Sequence, residues 1–101
     1  MTTVIVQYPV GHDFDVDYYV NKHMPLAQKH WGPYGLLSAQ VIKLGGESPY
    51  QIYSILKWDS LASFQKAGAS EETKEIKGDV KNFTTAVPTY VIGETVADVK
   101  A

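Results

Sequence analysis

The chain has 101 residues, 45% of them hydrophobic, with nine basic side chains against eleven acidic ones and no cysteine. That length supports one domain over residues 1–101 and is too short for two. The near balance of charge, with no lysine or arginine cluster recurring along any face, argues against a surface that tracks nucleic-acid phosphates. The lack of cysteine removes disulfides, thiolate nucleophiles, iron–sulfur clusters and thiolate zinc sites, and fits a reducing cytoplasm. No apolar run reaches membrane-spanning length, and Met1–Val6 lacks the basic-then-apolar order of a secretory signal. The expectation is a cytoplasmic protein with neither a nucleic-acid nor a membrane partner.

Thr2 to Tyr8 is rich in β-branched residues and stops at Pro9 and Gly11, which reads as a first strand. Asp15 then stands where a carboxylate caps a helix running toward His30, with Asp17 placed to favour the helix dipole. Along that helix Val16, Tyr19, Val20, His23 and Ala27 follow the three-and-four spacing of one face, so His23 should point inward beside Tyr19. Pro25 removes a backbone donor, and a kink or restart near His23 is expected. Gly32-Pro33-Tyr34-Gly35 reads as a turn, and Leu36–Leu44 with Tyr50–Trp58 as a hairpin around Gly45–Pro49. Asp59 or Ser60 caps a second helix carrying Leu61 and Phe64. Gly68 separates it from a further start at Ser70-Glu71-Glu72, ahead of Ile76, Val80 and Phe83. Tyr90–Gly93 forms the fourth strand.

The order strand, helix, strand, strand, helix, strand is that of an α+β ferredoxin-like domain, the split βαβ arrangement (βαββαβ). It implies a four-stranded antiparallel sheet with helices on one face. The strands nevertheless carry apolar side chains in both alternating registers. Val4, Val6 and Tyr8 oppose Ile5, and Tyr50, Ile52, Leu56 and Trp58 oppose Tyr53 and Ile55. The open face therefore needs a cover, and a second copy of the sheet would supply one, giving a homodimeric barrel.

His23 is the leading candidate for chemistry, because a neutral imidazole held on a helix can take or give a proton near pH 7. The plainer reading is a buried histidine satisfied by a backbone carbonyl. Tyr8, Tyr19, Tyr53, Trp31, Phe64 and Phe83 are candidate substrate-binding residues for a flat, largely apolar molecule, although each is by default a core residue. The hydroxyls of Tyr8, Tyr19 and Tyr53, in that order, are candidates to orient a substrate oxygen. His23 and His30 lie about 10 Å apart on a continuous helix and cannot share a metal, which leaves His30 as a last-turn residue complementing the dipole. Asp13-x-Asp15-x-Asp17 resembles the start of a calcium loop, but its sixth position is Tyr18 and its twelfth Met24. No metal site and no cofactor motif is expected. Lys66, Lys74, Lys77 and Lys81, set among Glu71, Glu72, Glu75 and Asp79, read as a solvated helix face.

The pattern Phe14-Asp15-x-x-Tyr18-Tyr19-x-x-x-His23-x-Pro25-Leu26, followed by Trp31-Gly32-Pro33 and by Asn82-Phe83 before Pro88, resembles the EthD family. The resemblance extends over nearly the whole chain. It implies a dimeric α+β barrel with a small-molecule pocket in each subunit, between sheet and helices. Proteins of that wider fold include cofactor-free monooxygenases, polyketide cyclases, lactone isomerases and haem-binding or chlorite-degrading proteins. The expectation is a small homodimer that binds a hydrophobic, oxygen-bearing organic molecule. It would use His23 as general acid or base for proton transfer or cofactor-free oxidation in catabolism. The alternative is a non-catalytic ligand-binding module or a dimeric interaction module.

Overall fold

In the computed structural model, which describes Met1–Ala101, β1 (Thr2–Pro9) lies between β3 (Tyr50–Trp58) and β4 (Thr89–Glu94), and β2 (Leu36–Lys43) pairs with the far edge of β3. All three pairings are antiparallel. The order β2-β3-β1-β4 is that of a ferredoxin-like α+β sheet. Alternation along β1 and β3 decides which side chains are covered. Val4, Val6 and Tyr8 on β1, with Ile52, Leu56 and Trp58 on β3, are buried under the helices, and the residues between them face the other way. Trp58 is wholly buried between Trp31 and Phe64, and its indole N–H has no partner, so packing alone holds it. None of the helices is long and apolar enough to cross a membrane.

The first helical region is three pieces in succession: α1 (Val16–Tyr18), a π-helical turn (Tyr19–His23) and α2 (Met24–Trp31). Asp15 caps it as expected, its carboxylate accepting from the Tyr18 N–H at 3.0 Å. The irregularity expected from Pro25 is a π-turn, not a kink between two α-helices. The Met24 N–H bonds to the Tyr19 carbonyl, five residues back, which widens the helix just where the proline ring would crowd the preceding turn. The widened turn has a second effect. Val20, which regular spacing puts on the inner face, rotates outward and is exposed, whereas Tyr19, His23 and Ala27 stay buried.

After a 3₁₀ turn (Gly32–Tyr34), Gly35 starts the return into the sheet with φ +122, and a Cβ there would lie 2.7 Å from an Asp59 carboxylate oxygen. On the second crossover α3 (Leu61–Gly68) is capped by Ser60, whose hydroxyl accepts from the Ser63 N–H at 3.1 Å. Ser70 does not cap α4 (Glu72–Gly78). Its hydroxyl donates instead to the Ala67 carbonyl at 2.6 Å, closing off the end of α3. The helix expected to continue past Val80 becomes a 3₁₀ turn (Val80–Asn82), and that turn is docked on the first helical region. The Asp15 N–H bonds to the Phe83 carbonyl, and the Thr84 hydroxyl to the Asp13 carbonyl. These bonds place the segment from Asp79 to Phe83 against His23.

Candidate functional site

A cavity of about 300 Å³ lies between the covered sheet face and the helices, and most of its lining is apolar. His23, only 5% exposed, reaches it from the π-turn. The i→i+5 bonding brings residues four apart close to alignment, so the His23 ring stacks on Tyr19 with centroids 5.1 Å apart and planes 16° off parallel. Phe83 closes the other side, its ring edge-on at 4.6 Å. The imidazole is held in place on both faces.

Its Nδ1 is 2.9 Å from Asp79 Oδ2. The other carboxylate oxygen of Asp79 accepts from the Tyr18 hydroxyl at 2.6 Å and from Asn82 Nδ2 at 2.9 Å. An ionised carboxylate accepts only, so Nδ1 must be the protonated nitrogen, and Nε2 is left with a free lone pair. Burial pushes the His23 pKa below its ordinary value, against the smaller raising effect of Asp79. Burial by itself would raise the Asp79 pKa, but the bonds from Tyr18, Asn82 and His23 outweigh it and hold the carboxyl below its usual range. The result is a neutral imidazole oriented by a fixed anion. That is the state of a general base at neutral pH.

Hydroxyls mark a second polar spot on the wall. Tyr19 and Ser54 share a short hydrogen bond, and Tyr8 lies beside Tyr19 with all three side chains buried. Burial first, then the neighbouring Tyr19, pushes the Tyr8 phenol far above its ordinary pKa, and burial also raises Tyr19. Both remain neutral donors across the physiological range.

Of the residues expected at the site, His23, Tyr8, Tyr19, Trp31 and Phe64 line the cavity. Phe83 does not line it; it backs His23, Tyr19 and Tyr8 in an aromatic cluster and so supports the site from behind. Tyr53 is elsewhere. It pairs in register with Gln7 and accepts from Gln7 Nε2 at 3.2 Å on the opposite face of the sheet. Strand alternation requires this, since Ile52, Leu56 and Trp58 all face the helices and Tyr53 falls in the other register. His30 is not simply a dipole-facing terminus; its Nε2 lies 2.7 Å from Glu75 Oε2.

The charges on and just after α4 separate into three roles. Lys74 pairs with Glu71 on the surface, Lys77 lines the cavity, and Asp79 orients His23. The sequence signal for Lys77 was helical spacing. Thr73, Ile76, Lys77 and Val80 form one three-and-four stripe, and all four line the cavity. Ser54, Tyr90 and Ile92 complete the lining from the sheet. Ser54 was recognisable as the one polar residue in the buried register of β3. No group of three metal-ligating side chains converges anywhere in the chain.

No family model matches the chain, and neither does any curated protein. Solved structures do. A crystal structure of an EthD-like protein from Ralstonia eutropha JMP134 is 29% identical, with a TM-score of 0.86 over 97% of this chain and 94% of that one. An ethyl tert-butyl ether D (EthD) family protein from Bacillus halodurans C-125 is 28% identical, with a TM-score of 0.75 over 95% of this chain and 99% of that one. SnoaB, a cofactor-independent oxygenase from Streptomyces nogalater, shares the fold at a TM-score of 0.73 and 9% identity, over 99% of this chain and 97% of that one.

Proposed function

We propose, for a chain that is EthD-like in sequence and in fold, that it binds a hydrophobic, oxygen-bearing organic molecule between sheet and helices and moves a proton on it through His23. The observation that carries this reading is the Asp79–His23 pair, which leaves a free lone pair, on Nε2, on a ring that lines a mostly apolar cavity. A C–H beside a carbonyl loses its proton to Nε2, and the electron pair delocalises onto the carbonyl oxygen. The neutral hydroxyls of Tyr8 and Tyr19 are suited to meet that oxygen, with Trp31 and Phe64 as apolar walls and Phe83 as their support. Return of the proton to another carbon is an isomerisation, and attack of the carbanion on a second carbonyl of the same molecule, whose oxygen then takes the proton, is a cyclisation. Where dioxygen is the co-reactant, the carbanion supplies the electrons, and a CH₂ group becomes C=O with the second oxygen atom leaving as water.

The assembly belongs to the same proposal. Ile5, Ile55 and Val91 stand in one row across β3, β1 and β4 on the face away from the helices, each in register with its neighbour. A second copy of this sheet covers that row and makes a homodimer with one cavity per subunit. An interaction module that uses this face alone is the second reading, favoured by the same row.

Native mass spectrometry of the gently purified protein reads subunit number and any retained compound together. The compound so recovered is then incubated in D₂O with the protein and followed by proton NMR. Loss of a C–H signal with the parent protein but not with His23→Ala is the expected outcome. Equal exchange with both would end the case for His23 as the base, and a monomeric mass would end the case for the dimer.

A further inference from the structure

We infer that the ligand is an anion, an apolar molecule bearing a carboxylate or an equally ionised oxygen acid, and that Lys77 selects it at the cavity mouth. This rests on the pocket reading above and adds to it the charge of the substrate.

No aspartate, glutamate, asparagine or glutamine side chain contributes to the cavity lining. Its polar side chains are those of the hydroxyl residues, His23, Trp31 and Lys77, the one lysine or arginine in the lining. The hydroxyls are partly committed. Thr73 accepts the Trp31 indole N–H at 2.8 Å, so its own proton remains to be given, and the bond between Tyr19 and Ser54 uses one of their two hydroxyl protons. The carboxylates around Lys77 keep their charge, but each has another partner and none lines the cavity. Glu71 pairs with Lys74, Glu72 accepts from Tyr34, Glu75 pairs with His30, and Asp79 with His23, Tyr18 and Asn82. Lys77 itself forms no salt bridge.

Its position on α4 gives the geometry. Lys77 follows buried Thr73 by four residues and buried Ile76 by one, so its stem lies along the cavity stripe, and the residue as a whole remains exposed. A cation at the edge of an apolar, donor-rich cavity that no carboxylate lines attracts an amphipathic anion. The apolar body enters among Trp31, Phe64 and Ile76 while the charge stays at the rim, where its desolvation is least costly. It also sets the direction of binding, with the ionised end at Lys77 and the reacting end at His23.

The test compares two ligands of nearly the same shape, 2-naphthoate and 2-acetylnaphthalene, titrated calorimetrically into the full chain. The naphthoate is expected to bind roughly fivefold to tenfold more tightly, a difference that shrinks as salt rises. Lys77→Met should erase the preference without weakening the ketone, and Lys77→Arg should retain most of it. Equal affinities in the parent protein, or a preference that survives Lys77→Met, would overturn the anion assignment and leave the apolar pocket standing. Binding of neither ligand would overturn the pocket and the assignment together.

Discussion

The two faces of this sheet are made by alternate residues of the same strands, yet they solve the problem of polar groups differently. On the helix side the buried hydroxyls and the imidazole have partners: Thr2 donates to Glu94, Ser54 is paired with Tyr19, and His23 with Asp79. Those partners come from distant parts of the chain, and one of them, Tyr19, is itself buried. On the open side the polar groups pair along the sheet itself, Gln7 with Tyr53 and Thr89 with Gln7, around the apolar row of Ile5, Ile55 and Val91. Burial alone therefore does not mark a site. What marks it on the covered face is a histidine with one nitrogen tied to a carboxylate and the other left free, which the open face has nothing to match.

The largest expected effect breaks the covered face. His23→Ala should lower turnover by about 10³-fold while ligand affinity, measured by calorimetry, changes little, because a base acts mainly on the transition state. Parallel loss of affinity and turnover would recast His23 as an anchor. The next effect breaks the open face. Ile5→Asp puts a charge at the centre of the apolar row, between Ile55 and Val91, and a buried unpaired charge costs about 3–5 kcal/mol, enough to move the monomer–dimer constant by 10² or more. Sedimentation velocity should show monomers with the cavity still able to bind ligand. An unaltered dimer would place the interface elsewhere.

Asp79→Asn sharpens the comparison by touching only the orienting group. The amide oxygen that replaces the carboxylate can still accept from Nδ1, so turnover should fall by roughly 10–100-fold, less than for removal of the imidazole. The pH dependence carries the sign. In the parent protein burial lowers the His23 pKa, so the acidic limb of kcat/KM should lie below the ordinary histidine value of about 6.5. Asp79 raises that pKa, and its neutralisation should move the limb lower still. Stability follows the same linkage. A histidine with a folded pKa below its unfolded one contributes fully above about pH 6.5, and the contribution is lost as pH falls from there through the folded value. Denaturant midpoints at falling pH should show this decline, and His23→Ala should remove it.

The sequence was legible where one element decided the outcome. Asp15 and Ser60 cap as their positions require, the strand order follows from alternating elements, and His23 beside Tyr19 follows from spacing on one helix. The site was legible only in its first half. Asp79 lies 56 residues from His23 and looks like one more charge on a lysine-rich helix. Its role depends on the docking of the Val80–Asn82 turn through the Asp15–Phe83 and Thr84–Asp13 bonds, which no local pattern announces. Tyr53 fails for a different reason. Its register is opposite to that of Ile52 and Leu56, so strand alternation puts it on the other sheet face whatever its aromatic character.

The smallest effects come from one matched pair of substitutions, tyrosine to phenylalanine once on each face. Tyr19→Phe removes the partner of Ser54, which is 1% exposed, and an orphaned buried hydroxyl costs about 1–3 kcal/mol. For a domain of this size each kcal/mol lowers the melting temperature by about 4–8 °C, and the loss should not depend on protein concentration. Tyr53→Phe removes the partner of Gln7 Nε2 on the open face. Facing water, Gln7 loses almost nothing, under about 0.5 kcal/mol. Covered by a second sheet, it becomes a buried donor without an acceptor and should cost about 1 kcal/mol or more. The prediction is therefore a concentration-dependent penalty for Tyr53→Phe, present where the dimer is populated and absent on dilution. A penalty absent at every concentration would mean that this part of the sheet stays open to solvent, and the apolar row of Ile5, Ile55 and Val91 would then have to be covered by something other than a second copy centred on it.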